Sequence, residues 1–174
     1  RNDFDFELDC RVVAVDTEAA VAAVDALAAC IECRSDGAAL DKTTTFLIHL
    51  GVHSSLQSFH LERCAWNEAD FRIPDVAGRQ MRKETICTED GGLEHCLTTL
   101  LPLDIIAARM EKLGHSCTIS DDAGRFLCNY IYYHSLKLSA AVDGRERGKG
   151  TTTSLFVHVP PFTTVSQPAQ ERFL

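Results

Sequence analysis

Stretches with a strand's two-residue alternation take turns along this chain with stretches whose apolar residues recur at helical spacing, and few folds accept that order. Leu8-Asp9-Cys10-Arg11-Val12-Val13-Ala14-Val15 alternates and is rich in β-branched residues, which predicts a strand. Asp16 or Thr17 then caps a helix from about Glu18 to Cys30, apolar at Val21, Val24, Leu27 and Ile31. The loop from Ser35 to Thr44 leads to Phe46-Leu47-Ile48-His49-Leu50-Gly51-Val52, a buried strand ending near a glycine, where a loop can approach closely. Another strand is expected within Ser58 to Trp66, and Arg72-Ile73-Pro74-Asp75 is extended and turns at its proline. A second helix opens at Pro102, carries Ile105, Ile106, Met110 and Leu113 on one face, and stops at Gly114. Cys117 to Ser120 is a short strand, about Ala123 to Leu138 a third helix, and Ser154 to Val159 a last strand ended by two prolines. The expected fold is one α/β domain over residues 1–174, a three-layer α/β/α sandwich with a mostly parallel sheet. Sites in such sheets form at the carboxyl ends of strands, where the next helix begins.

Charge narrows the partners. A net charge of −8 argues against nucleic acid or an anionic membrane surface as a partner, since phosphate binding needs a basic face. No stretch approaches the roughly 18–20 apolar residues of a transmembrane helix. Eight cysteines in a core-sized chain sit mostly inside periodic segments, so they are expected as reduced thiols of a cytoplasmic protein. Cys30-Ile31-Glu32-Cys33 is the exception to weigh, because a Cys-x-x-Cys pair serves as a redox couple or as half a zinc site. Redox pairs open a helix, whereas this one closes one. No second pair completes a tetrahedral site, and the spacing of Cys87, His95 and Cys96 matches no common finger. The expectation is therefore no metal and no cofactor, with a thiol- or zinc-binding interaction module built on Cys30 and Cys33 as the alternative.

Cys128 lies in Ala123-Gly124-Arg125-Phe126-Leu127-Cys128-Asn129-Tyr130, expected one to two turns into the third helix. Thirty residues later, His158 interrupts the apolar strand Leu155-Phe156-Val157-His158-Val159. A thiol near a helix start is biased towards thiolate by unpaired N–H groups and the macrodipole. An imidazole nearby supplies its base, and the pair makes a nucleophile for acyl transfer. Read singly, Cys128 is as well explained as an inert core thiol and His158 as a satisfied core histidine.

Taken together, the motifs resemble the pyroglutamyl peptidase I (pyrrolidone-carboxylate peptidase) family of cysteine peptidases. The resemblance rests on Ser120 to Tyr130 around Cys128, on the Tyr-Tyr-x-Ser-Leu run from Tyr132 to Leu136, and on Phe156-Val157-His158-Val159-Pro160. Leu61-Glu62-Arg63-Cys64 matches where the family has its triad glutamate, and Arg72-Ile73-Pro74-Asp75 resembles the Arg-Ile-Pro-Asp of bacterial members. It spans roughly Leu8 to Gln170. It implies Cys128 as nucleophile, His158 as general base and acid, and Glu62 as the carboxylate orienting it. It also implies Arg72 and the Cys128 N–H as oxyanion donors, and Ile73, Phe126 and Leu127 as lining for the ring pocket. The implied reaction removes an N-terminal pyroglutamate from peptides, and none of these features sets an oligomeric state. The family's opening Gly-Phe-Gly-Pro-Phe is missing, the chain starts near the family's second strand, and no final helix is expected before Leu174. Either the chain is incomplete at both ends or its ring pocket is built differently. A catalytically impaired member is the second alternative.

Overall fold

The computed structural model describes residues 6–35, 44–143 and 151–173. In chain order they form α1 (Thr17–Ser35), β1 (Thr44–Val52), β2 (Phe59–Glu62), β3 (Cys64–Trp66), β4 (Cys96–Thr98), α2 (Leu103–Lys112), β5 (Cys117–Ser120), α3 (Leu127–Asp143), β6 (Thr151–Val159) and α4 (Gln167–Phe173), with a 3₁₀ turn at Thr88–Asp90. The main sheet has the order β1-β6-β2-β5, while β3 and β4 pair separately. β1 runs parallel to β6 and β2 parallel to β5, but β2 and β6 are antiparallel. Two parallel halves therefore meet along one antiparallel seam.

β6 is central because it is almost wholly uncharged and can be buried on both faces. Its odd residues Leu155, Val157 and Val159 join Phe59, Leu61, Leu103, Cys117 and Phe173 in one core layer, so α2 and α4 cover that face. Phe156 points the other way, into a cluster with Tyr132, Tyr133 and Leu136 of α3. α1 packs on α3 to complete the opposite layer. This is the α/β sandwich expected. Among the described residues no helix is long and apolar enough to cross a membrane.

Several local expectations need correction. Residues 8–15 form no strand, and Phe6, Leu8, Val12 and Val15 are exposed. Alternation supplies a face but not a partner, and an extended segment without a neighbouring strand leaves its backbone to water. The following helix is capped by Asp16, whose Oδ1 accepts from the Ala19 N–H at 2.7 Å. β1 is not buried: it is the sheet's edge among the described residues, with Phe46, Ile48, Leu50 and Val52 at least half exposed. The strand expected within Ser58 to Trp66 is two strands in two sheets. Arg63 is the crossover, donating its N–H to Ser120 O (2.7 Å) and accepting at its carbonyl from Thr99 N (2.9 Å).

α3 begins four residues later than its periodicity suggests, because a turn intervenes. Asp122 Oδ1 accepts from the Gly124 N–H (3.0 Å), and Gly124 takes φ 81°, a conformation that glycine adopts at least cost. At the C-terminus the residues do turn helical, in α4, where no final helix was expected. Phe173 fastens it by stacking on Phe59 with centroids 3.7 Å apart. The Gln170 amide also donates to Pro160 O and Val165 O. Most of the loop expected from Ser35 to Thr44 lies outside the described residues.

The start of α3 is anchored by a fully buried asparagine. Asn129 Oδ1 accepts from the Trp66 N–H (2.8 Å), and its Nδ2 donates to Trp66 O (2.8 Å) and Glu68 O (2.9 Å). Asn129→Ala should destabilise the protein by about 2–4 kcal/mol in urea or thermal unfolding, since it strands buried backbone groups. A loss below about 0.5 kcal/mol would show that this anchor is not needed.

Candidate active site

The antiparallel seam assembles the first two side chains. In the β2–β6 ladder His60 lies opposite His158 and Glu62 opposite Phe156, so Glu62 and His158 share one face and approach diagonally. His158 Nδ1 lies 2.7 Å from Glu62 Oε1, and both residues are buried. Cys128 is the other side chain that hydrogen-bonds the His158 imidazole. Glu62 is held from behind as well, for the Tyr132 hydroxyl donates to its backbone oxygen at 2.8 Å.

Cys128 comes from α3. The Phe126 carbonyl accepts from Tyr130 N (3.0 Å), which makes Phe126 the cap residue and Cys128 the second residue of the helix. It is therefore in the first turn, closer to the helix start than expected from sequence. Its N–H is among those that an α-helix leaves unpaired, and its thiol sits at the positive end of the dipole. The side chain is half-buried.

Electrostatics joins the three. Burial lowers the pKa of His158, but hydrogen bonds and charge from Cys128 and Glu62 outweigh it and push the imidazole up to about 9. His158 thus keeps its proton at neutral pH. The unfolded imidazole titrates near 6.5, so this proton stabilises the fold fully below that pH and ever less as pH rises through about 9. His53 presents an edge to the His158 ring at 5.5 Å, and Phe156 lies tilted against it at 4.8 Å.

The other expected site residues gather near the start of α3. Asp70 N donates to Arg125 O (2.9 Å) and Phe71 meets Phe126 edge-on at 4.9 Å, which brings the chain leading into Arg72 and Ile73 beside that helix start. Arg72 is exposed, and its guanidinium has no hydrogen-bond or ion-pair partner among the described residues. Ile73 is exposed too, while Leu127 is buried with Ala20, Ala69, Phe71, Met81 and Tyr130. Cys30 and Cys33 lie in the second half of α1 as free thiols. His95 bonds the Tyr133 hydroxyl at 2.7 Å instead of joining Cys87 and Cys96. Among the described residues no three His, Cys, Asp or Glu side chains are grouped to hold a metal.

A model of the pyroglutamyl peptidase family matches residues 18–170, almost the whole of the described chain. The chain belongs to that family. It is 34% identical to the pyrrolidone-carboxylate peptidase of Pyrococcus furiosus over 113 residues, 65% of this chain and 50% of that protein. It is 34% identical to human pyroglutamyl-peptidase 1 over 117 residues, 66% of this chain and 49% of that one. This member of the pyroglutamyl peptidase family thus spans about half the length of the curated relatives it matches. The fold agrees. A pyrrolidone carboxyl peptidase structure from Thermococcus litoralis superposes with a TM-score of 0.68 at 29% identity, covering 86% of this chain and 59% of that one. One from Thermus thermophilus gives 0.67 at 28% identity, covering 93% and 77%.

Sequence reasoning gave no role at this site to four residues that pack around it: Gly51, Asn129, Tyr132 and the ring of Phe156. Asn129 carried the one available signal, a polar side chain set among the apolar residues of a helical stretch. The others are glycine and aromatic residues, and only the folded structure reveals what they touch.

Proposed function

We propose that this chain is a thiol hydrolase that releases pyroglutamate from the N-terminus of peptides, with Cys128, His158 and Glu62 as its catalytic residues. The observation that carries the reading is the 2.7 Å Glu62–His158 contact with Cys128 acting on the same imidazole, all within a chain of this family. Cys128 Sγ attacks the carbonyl between the pyroglutamyl ring and the next residue. The His158 imidazolium protonates the departing amine, and the imidazole so formed activates the water that hydrolyses the thioester. Glu62 holds the ring tautomer and offsets the imidazolium charge. The Cys128 N–H and the Arg72 guanidinium receive the oxyanion, each such donor contributing on the order of 3 kcal/mol to the barrier reduction. Ile73, Phe126 and Leu127 form the apolar side of the ring site. Hydrogen bonds to the lactam carbonyl would exclude proline, which lacks it. A nucleophilic thiol of this kind works in a reducing compartment, which suits the cytoplasm.

The test is hydrolysis of a fluorogenic pyroglutamyl amide beside the prolyl analogue. Release from the first alone, abolished by a thiol alkylator and untouched by a chelator, is expected. No release at any pH, or inactivation by the chelator alone, would sink the reading. The rate should also fall as pH rises through about 9, because the reactive ion pair needs protonated His158. A rate still climbing at pH 10, measured as kcat/KM under initial-rate conditions, would contradict this.

A further inference from the structure

β1 passes beneath the candidate nucleophile. Its odd residues face α3, as the 2.8 Å contact between His49 Nε2 and Ser135 Oγ shows, and Gly51 is next on that face. Gly51 is the ladder partner of His158. Its φ is not in the left-handed region, so the backbone does not demand glycine there. Glycine inside a strand is otherwise unfavourable, costing roughly 0.5–1 kcal/mol relative to alanine. Space supplies the reason. A Cβ at this position would lie 2.7 Å from Phe156 Cζ, 3.0 Å from Phe156 Cε1 and 3.2 Å from Cys128 Sγ.

The ring cannot readily yield. Phe156 is buried and boxed in by Tyr132 at 5.9 Å, His49 at 6.2 Å and His158 at 4.8 Å. Any group larger than hydrogen must displace the Cys128 sulfur or the Phe156 ring, which lies against the His158 imidazole. Either movement alters the Cys128–His158 geometry.

We propose that Gly51 is a positioning residue for Cys128, its missing side chain forming the floor on which Sγ rests against Phe156. The proposal deepens the peptidase reading and rests on Cys128 being the nucleophile. Gly51→Ala should lower kcat by roughly 10²-fold with KM changed less than about threefold, the size of loss that a misplacement near 1 Å brings. Phe156→Leu shortens the obstructing ring, so the double variant G51A/F156L should recover at least about tenfold over G51A.

A second readout does not need peptide hydrolysis. The rate of Cys128 alkylation by iodoacetamide, followed by peptide mass spectrometry, should drop in G51A by roughly tenfold or more. If the wild-type protein cleaves no pyroglutamyl amide, the peptidase reading fails while this readout still decides the role of Gly51. Unchanged alkylation in G51A, or full activity in G51A, overturns the proposal. Should G51A be insoluble, a folded G51A/F156L with restored Cys128 reactivity supports it, and an unfolded double variant overturns it.

Discussion

Cys128→Ala should lower pyroglutamyl-amide hydrolysis by roughly 10⁴-fold or more while leaving the fold intact. The expected loss is large because, in the proposed mechanism, the Cys128 thiol forms the acyl intermediate. Without it, His158 could only activate water, a far weaker nucleophile than a thiolate. Stability should change little, since a half-buried sulfur gives up few contacts; a shift within about 1 kcal/mol is expected. Alkylation adds an independent view. Burial pushes the Cys64 thiol up to about 12, helped by Cys96, and burial also raises Cys87 and Cys117. Those three stay protonated thiols at neutral pH, so an alkylator that labels Cys128 should leave them unlabelled. Wild-type kcat in Cys128→Ala, or inactivation that tracks the labelling of another cysteine, would remove Cys128 from the mechanism.

The proposed triad could be picked out because its members sit in short, distinctive local contexts. A single histidine in the apolar run 155–159 stands out, as does a cysteine after Asp-Asp-Ala-Gly-Arg, and both contexts survive in one dimension. Their convergence did not. It depends on β2 and β6 being antiparallel, a pairing between strands nearly a hundred residues apart that periodicity does not encode. Helices α1 and α2 were readable from caps and spacing, since those are local forces. The misreadings share a cause. Residues 8–15 and β1 carry strand patterns, but whether such a segment pairs or is covered depends on neighbours that the pattern does not name. The late start of α3 came from Asp122 and Gly124 closing a turn inside a stretch whose apolar spacing already looked helical. Gly51 was read as a strand end, although its importance lies in what its missing Cβ would strike.

Glu62→Gln tests the least obvious member of the proposed triad, and the expected loss is about 10²–10³-fold in kcat/KM. Glu62 is 1% exposed, and while Oε1 takes the His158 bond, Oε2 has no hydrogen-bond partner among the described residues. A buried carboxylate with an idle oxygen is a poor way to stabilise a fold, which favours an electrostatic role over a packing one. Glutamine keeps the shape and removes the charge. One of the two groups that raise the imidazole pKa is then lost, so the alkaline limb should move below about 9. Stability should follow the same linkage. Wild type should exceed the variant most below pH 6.5, where the unfolded imidazole is already protonated, and the difference should shrink as pH rises through about 9. A glutamate that merely packed would shift the melting curve equally at all pH values and leave the limb where it was. That pattern, from melts and rate profiles recorded on the same protein between pH 5.5 and pH 10, would remove Glu62 from the catalytic unit.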